Sequence, residues 1–191
     1  LASKAMDEGA FGISTGLKYL PGNFSKVEEV IEISKEISKK GGVYTSHLRD
    51  EGLKIIDAVE EAIQISKEAD ISVVLTHHKV IGKPMWGKSE ITLSLIDSAR
   101  QKGIKVMADQ YPYSASHTGI NVLIPTWARA GGSEDFKKRV LDKSLREKIE
   151  EYRSLRQKSV EASTKKRLNA SADFALKIKP ILAEYASINS I

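Results

Sequence analysis

The strongest constraint on the fold of this chain is the even recurrence of four short runs rich in β-branched and small residues. The runs span residues 11–15, 43–47, 71–77 and 105–109. Their first residues lie 32, 28 and 34 positions apart, which is the length of one strand together with its crossover helix. This spacing predicts parallel strands joined by helices, and therefore an α/β fold.

The segments between the runs carry apolar residues at the three- and four-residue spacing of amphipathic helices. These positions are Val27, Val30, Ile31 and Ile37, then Ile56, Val59 and Ile63, then Leu93, Ile96 and Ala99. Ser25 followed by Glu28 has the pattern of a capping box, which predicts the start of the first of these helices.

Repeated βα units build either a doubly wound sheet or a (β/α) barrel. No glycine-rich phosphate-binding motif follows the first run, which disfavours a nucleotide-binding sheet. Polar residues gather after the predicted strand ends instead, at 14–19, 47–50, 77–79 and 109–113, as they do at the catalytic rim of a barrel. Because a complete barrel needs about 250 residues and eight strands, we predict a partial TIM (β/α) barrel of about four βα units. A helical C-terminal segment follows it.

Charge and glycine both divide the chain near residue 130. Residues 1–130 carry 16 basic and 16 acidic side chains, whereas residues 131–191 carry 14 and 9, which is the whole net charge of +5. All 13 glycines lie at or before Gly132. We therefore predict a partial barrel over residues 1–130 and a helical insertion or tail over residues 131–191. The basic tail is poor in aromatic residues for base stacking, so we expect no nucleic-acid partner.

The absence of cysteine excludes disulfides, thiolate nucleophiles and cysteine-based metal sites within this sequence. No apolar run approaches the roughly 20 residues that span a bilayer, and no secretory leader opens the sequence. These features predict a cytoplasmic protein without a membrane partner.

Two histidines end neighbouring predicted strands and are the first candidates for a metal site. Strand alternation places His47 on one face with Thr45, and it places His77 on one face with Leu75, so that His78 points away. Two imidazoles directed into one rim provide half of a zinc site, where zinc generates hydroxide from water at neutral pH. The alternative is that each histidine is a hydrogen-bonded rim residue, and spacing alone leaves both open.

Three further rim residues suit an anionic substrate. Lys79 could bind an anion as a point charge, or it could be a solvated loop lysine. Tyr111 and Tyr113 could donate hydrogen bonds over the rim, or they could pack beneath a loop. Asp109 could anchor the backbone or ligate a metal. Neither Ser14 nor Ser46 lies in a G-x-S-x-G elbow, so a serine hydrolase triad is not expected.

A series of short sequence motifs in a fixed order gives more specific information than the spacing of the predicted strands. The motifs are Gly12 to Tyr19, Tyr44 to Glu51, Thr76 to Lys79, Gly87 to Ser89, Asp109 to Ala115, Pro125 to Trp127 and Gly131 with Gly132. Together they closely resemble the D-aminoacylase (N-acyl-D-amino-acid deacylase) family of the amidohydrolase superfamily over roughly residues 1–150.

This resemblance implies a zinc-dependent TIM barrel that hydrolyses the amide of N-acyl-D-amino acids. It implies that His47 and His77 bind the metal. It also implies that Tyr19, Lys79 and Tyr111 hold the carboxylate or the acyl carbonyl of the substrate. The general acid/base of the family is an aspartate after the last strand, so no catalytic residue is assigned in this chain.

The family pattern also requires an H-x-H motif on the first strand and a cysteine ligand, and this sequence contains neither. We therefore expect a central portion of the enzyme that is inactive by itself. One alternative is a non-catalytic half-barrel that associates with itself through exposed sheet edges. Another is an amidohydrolase that acts on a different amide or on a cyclic imide.

Overall fold

The first compact unit of the protein is built on a four-stranded parallel sheet. A computed structural model describes residues 1–113 and 116–155, and the chain divides into compact units over residues 1–112 and 113–191. The strands are β1 (Gly12–Gly16), β2 (Val43–His47), β3 (Ser72–Leu75) and β4 (Val106–Ala108). Each pairs in parallel with the next, in the order β1-β2-β3-β4. The predicted α/β class with a parallel sheet is confirmed.

Helices precede and connect these strands. They are α1 (Ala2–Asp7), α2 (Val27–Ser38), α3 (Ile55–Ala69) and α4 (Ser89–Gln101), with 3-10 turns at Gly22–Phe24 and Lys83–Met85. Helix α3 packs against α2 on one side and α4 on the other. The strand order does not reverse anywhere in this described unit, whereas a doubly wound sheet reverses its order at a switch point. The arrangement is therefore that of consecutive units of a barrel.

The core lies between the helices and one face of the sheet. Tyr44, Val73, Leu75 and Val106 point toward the helices and are at most 1% exposed. The opposite face carries Val43 and Met107, which are 38% and 45% exposed. In a closed barrel this second face is the interior. The sheet is thus covered on one side by this unit's own helices.

The predicted capping box at the start of α2 is wrong. The helix begins at Val27, its N-cap residue is Lys26, and no side chain caps it. Ser25 instead donates its hydroxyl to the carbonyl oxygen of Gly22 at 2.6 Å, where it closes the preceding 3-10 turn. The Ser25 hydroxyl therefore binds a nearby backbone carbonyl instead of capping α2.

The second unit is helical where the structure describes it. It contains a 3-10 turn at Ile120–Leu123, helices α5 (Thr126–Arg129) and α6 (Gly132–Leu141), and helical residues 143–155. Arg139 donates to the carbonyl oxygen of Ala128 at 3.0 Å, which ties α6 to α5. The part of the predicted helical tail beyond residue 155 lies outside the described residues. The division at residue 130 stays a prediction.

No helix in the described ranges, 1–113 and 116–155, has the length and apolar character needed to cross a membrane.

Tyr44 offers a test of the core through its buried phenol. The side chain is 0% exposed, and its hydroxyl lies 2.7 Å from Oγ1 of Thr15. Burial raises the pKa of the Tyr44 phenol, although hydrogen bonds with Ser46 and Thr15 oppose the shift. Because an unfolded tyrosine ionises near pH 10, we expect stability to fall as the pH rises above about 10.

Urea unfolding at pH 8 and pH 10.5 tests this expectation against Tyr44→Phe. At pH 8 the variant should lose about 1 kcal/mol, because it lacks the hydrogen bond. Between the two pH values the wild type should lose more stability than the variant, which has no phenol at this position. Equal losses for the two proteins would contradict a buried, protonated Tyr44.

Candidate metal and anion site

His47 reaches the site because β2 remains regular up to its last residue. It pairs with Gly16 in the neighbouring strand, and its carbonyl oxygen accepts a hydrogen bond from the Leu17 amide at 3.1 Å. Alternation along β2 puts Tyr44 and Ser46 under the helices and His47 on the opposite face. The strand-parity prediction therefore describes His47 correctly.

The predicted strand parity is wrong for His77. Strand β3 ends at Leu75, which pairs with Ser46 and points toward the helices. Continued alternation would direct His77 to that side as well, away from His47. Instead His77 has a φ of 45°, a left-handed conformation that costs about 1–3 kcal/mol for a residue other than glycine. This reversal of the backbone brings the His77 ring to His47.

Asp109, the residue that follows β4, holds the unusual backbone of His77. One carboxylate oxygen, Oδ1, accepts the His77 amide at 2.5 Å. The Asp109 carbonyl oxygen accepts the His78 amide at 2.8 Å, and the Asp109 amide donates to Leu75 at 3.2 Å. Of the two roles considered for Asp109, the structure gives it the role of backbone anchor.

The reversal at His77 also sends the next histidine into the core. His78 is 8% exposed, and its Nε2 lies 2.8 Å from Oγ1 of Thr92 on α4. Burial lowers the pKa of His78; the negative charge of Glu51 opposes this shift, and the positive charge of Lys79 adds to it. Adjacent histidines thus have different surroundings, one in the site and one beneath α4.

The centre of the site is formed by two histidines and one glutamate. Nδ1 of His47 lies 2.8 Å from Nε2 of His77. Glu51, whose side chain is 8% exposed, lies 3.1 Å from Nδ1 of His77 and 4.0 Å from Nε2 of His47. Ligand atoms of these three residues all lie within 4.8 Å of one another. Glu51 was not predicted as a site residue, because its position in the loop after His47 carries no local signal of burial.

Lys79 lies directly beside this centre. Its Nζ is 2.6 Å from Oε1 of Glu51, 2.9 Å from Nδ1 of His77 and 3.1 Å from the His77 carbonyl oxygen. The ammonium also lies 5.6 Å from the ring centroid of Tyr111, within the range of a cation–π interaction. The Lys79 side chain is 19% exposed, so it is not a solvated loop lysine.

Two tyrosines flank the histidine pair. The ring centroid of Tyr19 is 4.7 Å from that of His47, and the ring centroid of Tyr111 is 6.4 Å from that of His77. The five residues singled out from the sequence, His47, His77, Tyr19, Lys79 and Tyr111, therefore form one continuous cluster. Tyr113, in contrast, is 74% exposed.

The loop that carries Glu51 is fixed by its neighbour Asp50. One oxygen of Asp50 accepts the amides of Gly52 at 2.7 Å and Lys54 at 3.1 Å. The other accepts Lys18 at 3.0 Å. Burial by itself would raise the pKa of Asp50, but Lys18 and the two amides hold that pKa below its usual value. Arg49 ties the same loop to α3 through a bidentate pair with Glu61.

The electrostatic surroundings favour a neutral imidazole at His47. Burial lowers the pKa of His47 most, and the negative charge of Glu51 opposes this effect. The electrostatic effects of His77, Lys79 and Lys18 lower the pKa of His47 further. Neutral imidazole is the form that binds a metal.

These donors fit a divalent metal such as zinc, because imidazole nitrogens and carboxylate oxygens are its usual ligands in sites without cysteine. An ammonium group and two phenols beside them can receive an anion or a carbonyl oxygen. The fold and the site together define a segment of a (β/α) barrel with a candidate metal centre at the carboxyl ends of its strands.

Comparisons with known proteins agree with this class. No protein-family model matches the chain. A D-aminoacylase from Alcaligenes xylosoxydans xylosoxydans is 47% identical over 118 residues, which are 62% of this chain and 24% of the relative. An N-acyl-D-glutamate deacylase from the same organism is 38% identical over 137 residues, or 72% of this chain and 27% of the relative.

A solved structure extends the similarity to three dimensions. The N-acyl-D-glutamate deacylase from Bordetella bronchiseptica, complexed with zinc and a phosphonate inhibitor, superposes with a TM-score of 0.58 at 36% identity. The match covers 59% of this chain and 24% of that one. The chain is homologous to a segment of the D-aminoacylase family of amidohydrolases, as the sequence motifs predicted. It spans about a quarter of the length of the curated relatives it matches.

Proposed function

We propose that this chain carries the metal-binding and substrate-positioning segment of a zinc-dependent amidohydrolase that hydrolyses N-acyl-D-amino acids. The observation that carries the proposal is the contact of His47 and His77 at 2.8 Å, with Lys79 beside them. The deacylase relatives and the zinc in the Bordetella enzyme support it. We also propose the cytoplasm as its compartment, because the sequence lacks cysteine.

In this proposal His47 and His77 hold the metal through ring nitrogens. A bound zinc ion polarises a carbonyl group and lowers the pKa of water to about 7. Lys79 attracts the substrate carboxylate as a point charge, and Tyr19 and Tyr111 orient the carboxylate or the acyl carbonyl by hydrogen bonds. The half-buried setting of these groups strengthens their electrostatic effect relative to bulk water.

The 191-residue chain alone should bind the metal without turning over substrate. The family pattern includes an H-x-H motif, a cysteine ligand and an acid/base aspartate, and none of these has a counterpart in this sequence. Without them, neither a complete ligand set nor a proton relay is assembled. The division into a barrel part over residues 1–130 and a helical insertion beyond it belongs to the same proposal.

Hydrolysis of N-acetyl-D-amino acids by the zinc-loaded chain tests the proposal, with the N-acetyl-L-amino acids as stereochemical controls. We expect no turnover above the zinc-only background. A kcat in the ordinary enzyme range of about 1–1,000 per second would show that the chain is a complete catalyst. A longer protein that joins the chain to segments carrying the H-x-H motif, the cysteine ligand and the aspartate should show D-selective hydrolysis. Selective hydrolysis of a cyclic imide by that longer protein would replace the proposed substrate.

The sheet face that the helices leave uncovered supports a second candidate function, that of a self-associating structural module. Val43 and Met107 expose apolar surface there, and β1 and β4 each pair with a single strand among the described residues. Unpaired edges and exposed apolar faces favour association. Sedimentation equilibrium separates the candidates: a stable dimer without zinc supports the module, and a compact monomer contradicts it.

A further inference from the structure

Glu51 is the least exposed charged group of the site, and its carboxylate faces three partners. Oε1 lies 3.1 Å from Nδ1 of His77 and 2.6 Å from Nζ of Lys79, and Oε2 lies 4.0 Å from Nε2 of His47. A buried carboxylate is costly unless it is paired. The two histidines and Lys79 therefore stabilise the carboxylate of Glu51, and its negative charge in turn acts on these three groups.

The positions of the ring nitrogens divide each histidine into an inner and an outer side. The inner nitrogens are Nδ1 of His47 and Nε2 of His77, which face each other at 2.8 Å. Both must offer a lone pair if one ion is to bind both rings. The proton of each neutral ring must then reside on its outer nitrogen, and both outer nitrogens face Glu51.

Lys79 opposes this arrangement at His77. Its ammonium lies 2.9 Å from Nδ1 of His77, and an ammonium group can only donate. A hydrogen bond from Lys79 keeps Nδ1 as an acceptor and leaves the ring proton on Nε2, where it blocks metal binding. Oε1 of Glu51 competes for the same ammonium at 2.6 Å and offers His77 Nδ1–H an acceptor.

We propose that Glu51 is a positioning residue that makes Nε2 of His77 the metal-binding nitrogen and draws Lys79 away from the His77 ring. It acts through the two histidines and does not ligate the metal. Carboxylates that accept the second N–H of a metal-bound histidine raise the basicity of the ligand and fix its tautomer. The inference rests on the proposed function, since it takes His47 and His77 as the metal ligands.

Zinc and cobalt binding to the 191-residue chain test the role of Glu51. We expect Glu51→Gln to weaken zinc binding by about 10- to 100-fold in competition with a chromogenic chelator. The visible absorption bands of the cobalt-loaded variant should keep the wild-type position and intensity, because the ligand set is unchanged. Adding Lys79→Met to Glu51→Gln should restore part of the affinity, because the competing donor is gone. Lys79→Met alone completes the double-mutant cycle, and it should bind zinc at least as tightly as the wild type because it lacks the competing donor.

Two-bond ¹H–¹⁵N spectra of the histidine rings supply a readout that a merely structural role would not move. In the zinc-loaded wild type, the His77 proton should reside on Nδ1. In metal-free Glu51→Gln it should reside on Nε2. A His77 proton on Nε2 in the zinc-loaded wild type overturns the inference, and this holds even where Glu51→Gln does not fold.

The remaining outcomes separate the inference from the proposed function. Wild-type affinity in Glu51→Gln, or altered cobalt bands, overturns the role of Glu51 while leaving His47 and His77 as ligands. A wild-type chain that binds no zinc, or binds it equally well without its histidines, overturns both.

Discussion

Replacing His47 or His77 by alanine should abolish stoichiometric zinc binding by this chain. The two inner ring nitrogens lie 2.8 Å apart, so one ion can bind both, and either single variant leaves one imidazole. Because loss of an outer partner already weakens metal sites by about 10- to 100-fold, loss of a ligand should weaken zinc binding by roughly 100-fold or more. Isothermal titration with zinc measures this directly.

His117→Ala is the control for these variants. His117 is exposed, and it should contribute nothing to stoichiometric binding. Far-ultraviolet circular dichroism should show that both site variants keep the wild-type helix content, since neither ring is part of the core beneath the helices. If His47→Ala bound zinc as well as the wild type, His47 would not be a metal ligand.

Replacing Gly12 by alanine should destabilise the sheet strongly. A Cβ atom at this position would lie 2.0 Å from the carbonyl oxygen of Val43 and 2.8 Å from its backbone nitrogen. These are backbone atoms of the neighbouring strand and cannot rotate away. Strand β1 would have to move from β2, which strains the adjacent hydrogen bond from the Val43 amide to the Phe11 carbonyl oxygen.

We expect a loss of about 2–3 kcal/mol in the free energy of unfolding, the upper range for overpacking. Urea unfolding followed by circular dichroism measures it. Phe11→Ala is the matched control, because the Phe11 side chain is 92% exposed and should change stability by less than about 0.5 kcal/mol. A Gly12→Ala protein as stable as Phe11→Ala would show that β1 does not approach β2 as closely as described.

The order of strands and helices could be predicted from sequence because it depends on local periodicity. Runs such as 43–47 contain β-branched residues and lie between helical patterns, and the structure places β2 at those residues. The same local pattern failed at 76 and 77, where the strand had already ended at Leu75. The reason is a contact from Asp109, 32 residues later, which no local pattern contains.

His47 and His77 are neighbours, as predicted, but the predicted strand parity is wrong for His77. The site also contains Glu51, which sequence analysis left without a role. A glutamate in a polar loop is usually solvated, and its burial follows from Lys79 and His77 approaching from the next βα unit. Such burial is a tertiary property, so the spacing of His47 and Glu51 alone does not reveal it.

The contact of Asp109 with the His77 backbone determines how long a segment must be transferred to move the metal centre into another protein. His47, Glu51, His77 and Lys79 belong to β2, β3 and the loops that follow them, yet the backbone that presents His77 is held from the residue after β4. A transplant that stops after Lys79 would carry every polar side chain of the centre and lose the geometry of one histidine. The smallest segment that keeps the two histidines, Glu51, Lys79 and their backbone anchor therefore runs from Val43 to Asp109. A protein engineer who moves this metal centre to another barrel has to move three consecutive strands, and the flanking tyrosines must be supplied separately.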